Sequence, residues 1–286
     1  MRRQVARYST LLPGLLLLAA SLLSTTAALA DTAPQASEVS VWSKVRSALF
    51  GSRVIDENAE AIIQLDAPSR AEDAATVPIA IRSQLLQTPS RYIRKLYLLV
   101  DNNPSPIAAV FELQPESGRA EIETRIRVEQ YTEVRAIAEL NDGALYMAHR
   151  YVKASGGCSA PAGKDPQEAL RNVGRMRLRV DGPIEAGRPT VAQLAISHPN
   201  ASGLVLDQLT RLYQPAYYVR TIEVRYAGRP VLTADIDFSI SENPNFRFYF
   251  VPDGDGELKA DVVDTRDLHF GSQLAIKVGG LGGPTR

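Results

Sequence analysis

The sequence has few of the side chains that most often carry catalysis. Of its 286 residues, one is cysteine, three are histidine and one is tryptophan. His149, His198 and His269 are too scattered to predict a metal site, and each is expected at a surface or loop position. A single cysteine cannot form a disulfide within its own chain. The scarcity argues against a metal centre and excludes an internal disulfide framework.

An excess of charge of either sign is also missing. The 32 basic and 32 acidic residues give a formal net charge of zero, so neither a nucleic acid nor an anionic membrane surface is indicated as a partner. The sequence contains no phosphate-binding loop, no dinucleotide-binding fingerprint, no serine nucleophile elbow and no haem-attachment motif. With 45% hydrophobic and 22% charged residues, the composition is that of a soluble globular protein. We therefore predict a protein that is not an enzyme and that binds no cofactor and no metal.

The first 30 residues have the pattern of a secretory signal peptide. Three arginines precede an apolar run at residues 11–23, and residues 28–30, Ala-Leu-Ala, form a small-x-small cleavage site. The run is too short for a convincing membrane span, so none is expected after cleavage before Asp31. The predicted destination is a bacterial periplasm, which is an oxidising compartment.

Alternation of apolar and polar residues dominates the remainder. Residues 120–128, AEIETRIRV, alternate strictly, as expected of a strand with one buried face. Further strands are predicted at 77–81, 93–100, 107–113, 134–140, 144–152, 175–180, 221–226, 233–240 and 246–250. Residues 41–50 instead have apolar residues at helical spacing, followed by Gly51. The predicted fold class is all-β: two immunoglobulin-like β-sandwich domains joined by a flexible cysteine-bearing linker and preceded by a short N-terminal helix.

Composition shifts give the predicted boundaries. The signal peptide covers 1–30, the first sandwich with its helix 31–152, a Gly/Ser/Pro-rich arm 153–170, the second sandwich 171–280 and a tail 281–286. No repeat of solenoid period is present.

The arm carries Cys158, the one thiol of the chain, directly after Gly156 and Gly157. Small, flexible neighbours favour an exposed and reactive thiol on a mobile tether. Two alternatives remain open: a buried, inert cysteine that acts as a small hydrophobic residue, and an intermolecular disulfide. A lone thiol without a nearby base is a poor catalyst, but it can serve as a covalent attachment point.

Several segments resemble a known family. The first half resembles SoxY, the sulfur-carrier subunit of the thiosulfate-oxidising Sox system, in "VPIAI", "VDNNPSPIAAVFEL", "ETRIRV" and "LNDG", followed by Gly-Gly-Cys. The second half resembles its partner SoxZ in "ISHPNASG" and "SENPNFRFYFVPDGDGEL". The layout is similar to that of the fused SoxYZ-like carriers associated with quinoprotein (PQQ-dependent) alcohol dehydrogenases.

The resemblance implies a role for the thiol. In SoxY the cysteine lies on a C-terminal swinging arm and carries sulfur intermediates covalently, so Cys158 is the expected attachment point, with Gly156 and Gly157 as the hinge of the arm. Two features depart from the family: the fusion tethers the arm at both ends, and Ser159 replaces a glycine that often follows the cysteine.

The leading hypothesis is a periplasmic carrier that presents a sulfur-type intermediate on Cys158 to partner redox enzymes. Those partners are Sox-type enzymes, or a quinoprotein dehydrogenase and its cytochrome. The alternative is an accessory binding protein for a quinoprotein alcohol dehydrogenase in which the cysteine is not a carrier. A third reading, a redox enzyme in its own right, lacks any second catalytic group in the sequence.

Overall fold

The computed structural model describes residues 40–161, 170–208 and 210–279, and the backbone of 281–282. The predicted signal peptide lies outside the described residues, as do positions 162–169 of the predicted arm and 283–286 of the predicted tail.

The predicted N-terminal helix is confirmed as α1, Val41–Phe50. The Ser40 hydroxyl caps it by accepting a hydrogen bond from the Ser43 N–H, and Gly51 ends it with a positive φ of 58°. Phe50 is buried and meets the ring of Tyr97 edge to face, with 5.0 Å between the centroids. The helix therefore covers part of the outer face of a sheet.

Seventeen strands are described. In the first half these are β1 Ile55–Asp56, β2 Ile63–Asp66, β3 Val77–Ser83, β4 Ile93–Val100, β5 Ile107–Leu113, β6 Ile122–Ile126, β7 Thr132–Leu140 and β8 Leu145–Val152. In the second half they are β9 Met176–Val180, β10 Gly182–Pro183, β11 Thr190–Ile196, β12 Val219–Tyr226, β13 Arg229–Ile236, β14 Asn245–Phe250, β15 Gly256–Asp264, β16 His269–Ile276 and β17 Leu281–Gly282. The all-β prediction is confirmed.

One predicted strand is shorter at its end than the sequence pattern indicates. The strand expected over 233–240 ends at Ile236, where β13 ends. The Ile240 N–H donates to the Asp237 carbonyl at 3.0 Å, and the chain turns there. This turn contributes to the site described below.

The strands form two large sheets, and both sheets contain strands from each half of the chain. The nine-stranded sheet has the order β1-β8-β7-β4-β5-β13-β12-β15-β16, and the six-stranded sheet has the order β2-β3-β6-β14-β11-β9. The halves meet where β5 pairs with β13 and where β6 pairs with β14, both antiparallel. Residues from both halves also share one continuous core, in which the Phe111 and Phe246 rings lie 6.0 Å apart. The two immunoglobulin-like halves are therefore joined by backbone hydrogen bonds as well as by the connecting segment.

Candidate functional site

The Gly-Gly-Cys segment lies against the end of β6, at the junction of the two halves. The Gly156 N–H donates to the Glu129 carbonyl at 2.9 Å, and the Gly157 N–H donates to the Val128 carbonyl at 3.0 Å. On the other side, the Ser202 hydroxyl of the second half donates to the Cys158 carbonyl. The start of the predicted arm is thus docked on the protein by its backbone.

The Glu129 carboxylate is the main side-chain anchor of the docked segment. One oxygen, Oε2, accepts hydrogen bonds from the backbone N–H of Cys158 at 2.8 Å and of Ser159 at 3.2 Å. The other, Oε1, accepts one from the Ser159 hydroxyl at 2.9 Å. Ser159 therefore contributes a side-chain contact that a glycine could not make.

The two glycines predicted as a hinge occupy different environments. Gly156 has a φ of +81° and open space where a Cβ would stand, so its conformation requires glycine but its packing does not. At Gly157 a Cβ would lie 2.0 Å from the Ala74 carbonyl oxygen and 2.8 Å from the Val128 nitrogen. Gly157 is therefore needed for the close approach of the segment to the sheet.

The expectation of an exposed thiol is wrong for this docked conformation. Cys158 is only 1% exposed. Burial, followed by the negative charge of Glu129, raises the pKa of the thiol to about 12, and the positive charge of Arg127 only partly opposes this shift. The thiol is therefore protonated and unreactive at neutral pH as long as the segment stays docked.

A cavity of about 400 Å³ adjoins the cysteine and is lined by both halves of the chain. Its lining combines apolar surface with charged groups and includes Asp73, Arg127, Cys158, Pro161, Leu170, Pro199, Val205, Tyr217, Glu242 and Arg266. The guanidinium of Arg266 lies over the Tyr217 ring, 3.6 Å from its centroid.

Arg127 lines this cavity and is held in place by hydrogen bonds to the second half. It is 7% exposed, and its Nη1 donates to the carbonyls of three residues of the second half, Asn200, Phe238 and Ile240, at 2.7–2.8 Å. Burial lowers the pKa of its guanidinium, an effect opposed by the charges of Cys158 and Glu242. The residue thus joins the first half to two loops of the second half beside the thiol.

Behind the cavity wall lies a buried polar pair. The His198 ring packs against Tyr217 with 4.5 Å between the ring centroids, and His198 Nε2 is 3.5 Å from Asp264 Oδ2. His198 Nδ1 accepts a hydrogen bond from the Asn200 N–H, so the neutral ring carries its proton on Nε2. Burial lowers the pKa of His198 to about 4. His198 lies in a loop after β11, one of the two positions expected for it, but its side chain is fully buried there and does not reach the surface.

Sequence reasoning found Cys158 and its glycines but missed Glu129, Arg127 and Ser202. Their contacts with the arm or with the opposite half span 29 to 113 residues, and no local pattern marks them. Among the described residues, no group of three potential metal ligands occurs. Nor does any described helix have the length and apolarity needed to cross a membrane.

Likenesses to solved structures are low. Superoxide reductase (neelaredoxin) from Ignicoccus hospitalis is 14% identical, with a TM-score of 0.29 over 32% of this chain and 79% of that one. Red sea bream transglutaminase is 13% identical, with a TM-score of 0.23 over 85% of this chain and 34% of that one. Scores this low carry no argument about function. No curated protein matches the sequence.

Family models do match. The model described as "Sulfur oxidation protein SoxY" matches residues 46–158 and so ends on the cysteine itself, and the model described as "Sulphur oxidation protein SoxZ" matches residues 178–275. SoxY and SoxZ are non-catalytic carrier and adaptor proteins of sulfur oxidation that work with Sox-type enzymes and are typically periplasmic. With both domains in one polypeptide, the chain belongs to this carrier family as a fused SoxYZ-like protein.

Proposed function

We propose that the protein is a periplasmic covalent carrier that holds a sulfur-type intermediate on Cys158 and presents it to Sox-type partner enzymes. The observation that carries the proposal is the placement of the chain's one thiol. It ends the SoxY match, follows two glycines and borders a cavity shared by both halves.

The docked segment acts as the resting state of the carrier. Its thiol is buried and protonated, and a periplasmic oxidant or a second thiol has no access to it. The segment is held by backbone hydrogen bonds and by the Glu129 carboxylate, with no strand pairing of its own. Release of these bonds exposes the sulfur and returns its pKa toward the ordinary value of a thiol, so undocking both presents and activates it.

Loading follows from the chemistry of a thiolate. The undocked Cys158 thiolate attacks a sulfur atom that is bonded to a leaving group. A new S–S bond forms, and the old bond breaks with its electron pair on the leaving group, so the exchange needs no external oxidant. Redocking would then place a small adduct beside the 400 Å³ cavity, which far exceeds the share of ~30 Å³ that one water occupies in the liquid.

Intact-mass spectrometry of protein purified from periplasm tests the proposal. We expect a mass increment that a thiol reductant removes and that a Cys158→Ser variant lacks. An unmodified thiol under every growth condition that supplies reduced sulfur compounds would contradict the carrier function.

A second candidate is favoured by the burial of the thiol itself. A buried cysteine with a raised pKa is also what an accessory binding protein for a quinoprotein alcohol dehydrogenase would tolerate, with no role for the sulfur. The Cys158→Ser variant separates the two. If growth or dehydrogenase activity is lost in the Cys158→Ser variant, the carrier function is supported. If it is lost only when the whole protein is deleted, the accessory role is supported.

A further inference from the structure

The outer face of the six-stranded sheet carries a concentration of arginines. In β9, Arg177 and Arg179 point outward while Leu178 and Val180 are buried. Together with Arg175 and Arg125, they line one open hollow of about 800 Å³.

Strand register explains why a hollow forms there. Arg177 is paired with Ala195 on β11, and Ala195 is paired in turn with Asn245 on β14. Short side chains on the two inner strands thus lie beside a strand with long arginines. The result is a depression with a cationic rim.

The charge of this rim is only partly balanced within the described part of the chain, where Arg179 pairs with Asp181 at 3.6 Å. The residues that line the hollow include no Asp or Glu. Among described residues, Arg125 and Arg177 form no ion pair, and Arg125 donates only to the Asn243 carbonyl at 3.2 Å. In contrast, the neighbouring Arg82 and Arg247 share the carboxylate of Glu123.

From this arrangement we propose that the arginine hollow is a docking surface for an acidic surface segment of a partner protein. Arginine forks bind carboxylates in bidentate geometry, and several of them on an open face match several carboxylates on another surface. A single small oxyanion would instead need convergent donors in a site of its own size. The hollow is wide, and its arginines are spread along β9 and the residue before it, with Arg125 on β6.

The position of the hollow links it to the cysteine. The two sites are adjacent, because Glu242 lines the Cys158 cavity and the next residue, Asn243, lines the hollow. Arg125, in β6, likewise lines the hollow, and Arg127, two residues later, lines the cavity. A partner bound to the arginines would therefore lie beside the docked segment, although the docking surface does not depend on what the cysteine carries.

A fluorescein-labelled octaglutamate peptide serves as the probe, with full-length protein and fluorescence anisotropy as the readout. We expect binding at low salt that weakens strongly at about 150 mM salt, because exposed charges are then screened beyond ~8 Å. The double variant Arg175→Gln/Arg177→Gln should bind about tenfold more weakly, as expected for a loss of roughly 1.4 kcal/mol. On addition of the peptide to wild-type protein, the largest NMR chemical-shift changes of backbone amides should fall in β9, β11 and β14.

The matched control is Arg220→Gln/Arg229→Gln, which removes the same charge from exposed arginines of β12 and β13. It should bind the peptide as the wild type does, and so should Cys158→Ser, whatever the outcome for the carrier proposal. Equal weakening in both double variants, or no binding at low salt, would overturn the docking surface. So would inorganic sulfate that occupies the hollow more tightly than the peptide, or a dimer that dissociates in the Arg175/Arg177 variant.

Discussion

The Glu129 carboxylate lies 2.8 Å from the backbone nitrogen of Cys158 and holds the cysteine in its buried position. The same carboxylate also accepts two hydrogen bonds from Ser159. Hydrogen bonds to a charged group are each worth more than neutral ones, about 1.5–3 kcal/mol. Glu129 is therefore the side chain with the strongest influence on whether the thiol is docked or free.

Replacement of Glu129 by Gln should make the thiol more reactive. The change weakens the docked state and removes a charge that raises the thiol pKa, so the thiolate fraction rises at any given pH. We expect alkylation by iodoacetamide at pH 8 to accelerate about tenfold or more, as a loss of ~2 kcal/mol in docking would produce. The Ser159→Ala variant, which loses one of the three bonds, should give a smaller acceleration.

Glu112→Gln is the matched control, because Glu112 pairs with Lys95 on β4 and does not contact the segment. Its alkylation rate should equal that of the wild type. Unchanged rates in Glu129→Gln would show that the carboxylate does not control access to the thiol.

A methyl group at Gly157 should prevent docking. A Cβ there would overlap the Ala74 carbonyl at 2.0 Å, and backbone cannot move aside as a flexible side chain can. Gly157→Ala should therefore expose the cysteine, seen as fast labelling under native conditions. Gly156→Ala, with open space but a positive φ, should cost only about 1 kcal/mol and leave the thiol largely protected. Equal labelling of the two variants would contradict the docked geometry.

Removal of Arg127 should destabilise the junction of the halves. In Arg127→Met, three carbonyls of the second half each lose a hydrogen bond, and only that of Ile240 keeps another side-chain donor, Asn200 Nδ2. The loss should lower the free energy of unfolding by about 3 kcal/mol. Arg125→Met, two residues earlier and within β6, loses one hydrogen bond to a carbonyl and should change the free energy of unfolding by less than about 1 kcal/mol. Urea denaturation measures both, and similar losses would contradict a special role for Arg127.

His198 should make the fold sensitive to mild acid. Its folded-state pKa of about 4 lies below the ordinary 6.5, so the unfolded chain binds more protons between these values. The stability from the neutral ring is complete above pH 6.5 and is lost as the pH falls toward 4, by up to about 3 kcal/mol. His198→Asn keeps an acceptor for the Asn200 N–H but cannot titrate. Its free energy of unfolding should fall less than that of the wild type over this range, and parallel curves would refute the assignment.

Strand prediction succeeded where alternation was long and clear, and it missed both the four-residue β2 and strands whose inward positions are weakly apolar. The β6 and β9 segments alternate clearly and lie where the sequence places them. In contrast, β11 was not predicted, since its inward positions include Thr190 and Ala192. β15 was also missed: it ends on a buried acid, Asp264, whose carboxylate accepts bonds from the following turn.

The candidate site likewise contains one residue that the sequence marks and others that it does not. The sequence itself singles out Cys158, because it is the one thiol of the chain and follows two glycines. It gives no signal for Glu129, which lies in an ordinary polar stretch 29 residues away. Contact between them arises only when the segment after β8 folds back onto the end of β6.

By itself, the sequence determined the all-β class, the N-terminal helix and the identity of the one thiol. These follow from side-chain periodicity and composition, which are local properties of the chain. The tertiary structure alone decided that β5 pairs with β13, that β6 pairs with β14 and that Cys158 is buried between the halves. Alternation shows which face of a strand is apolar, but the neighbour of each strand edge and the fit of a glycine against a carbonyl depend on residues far apart in the chain.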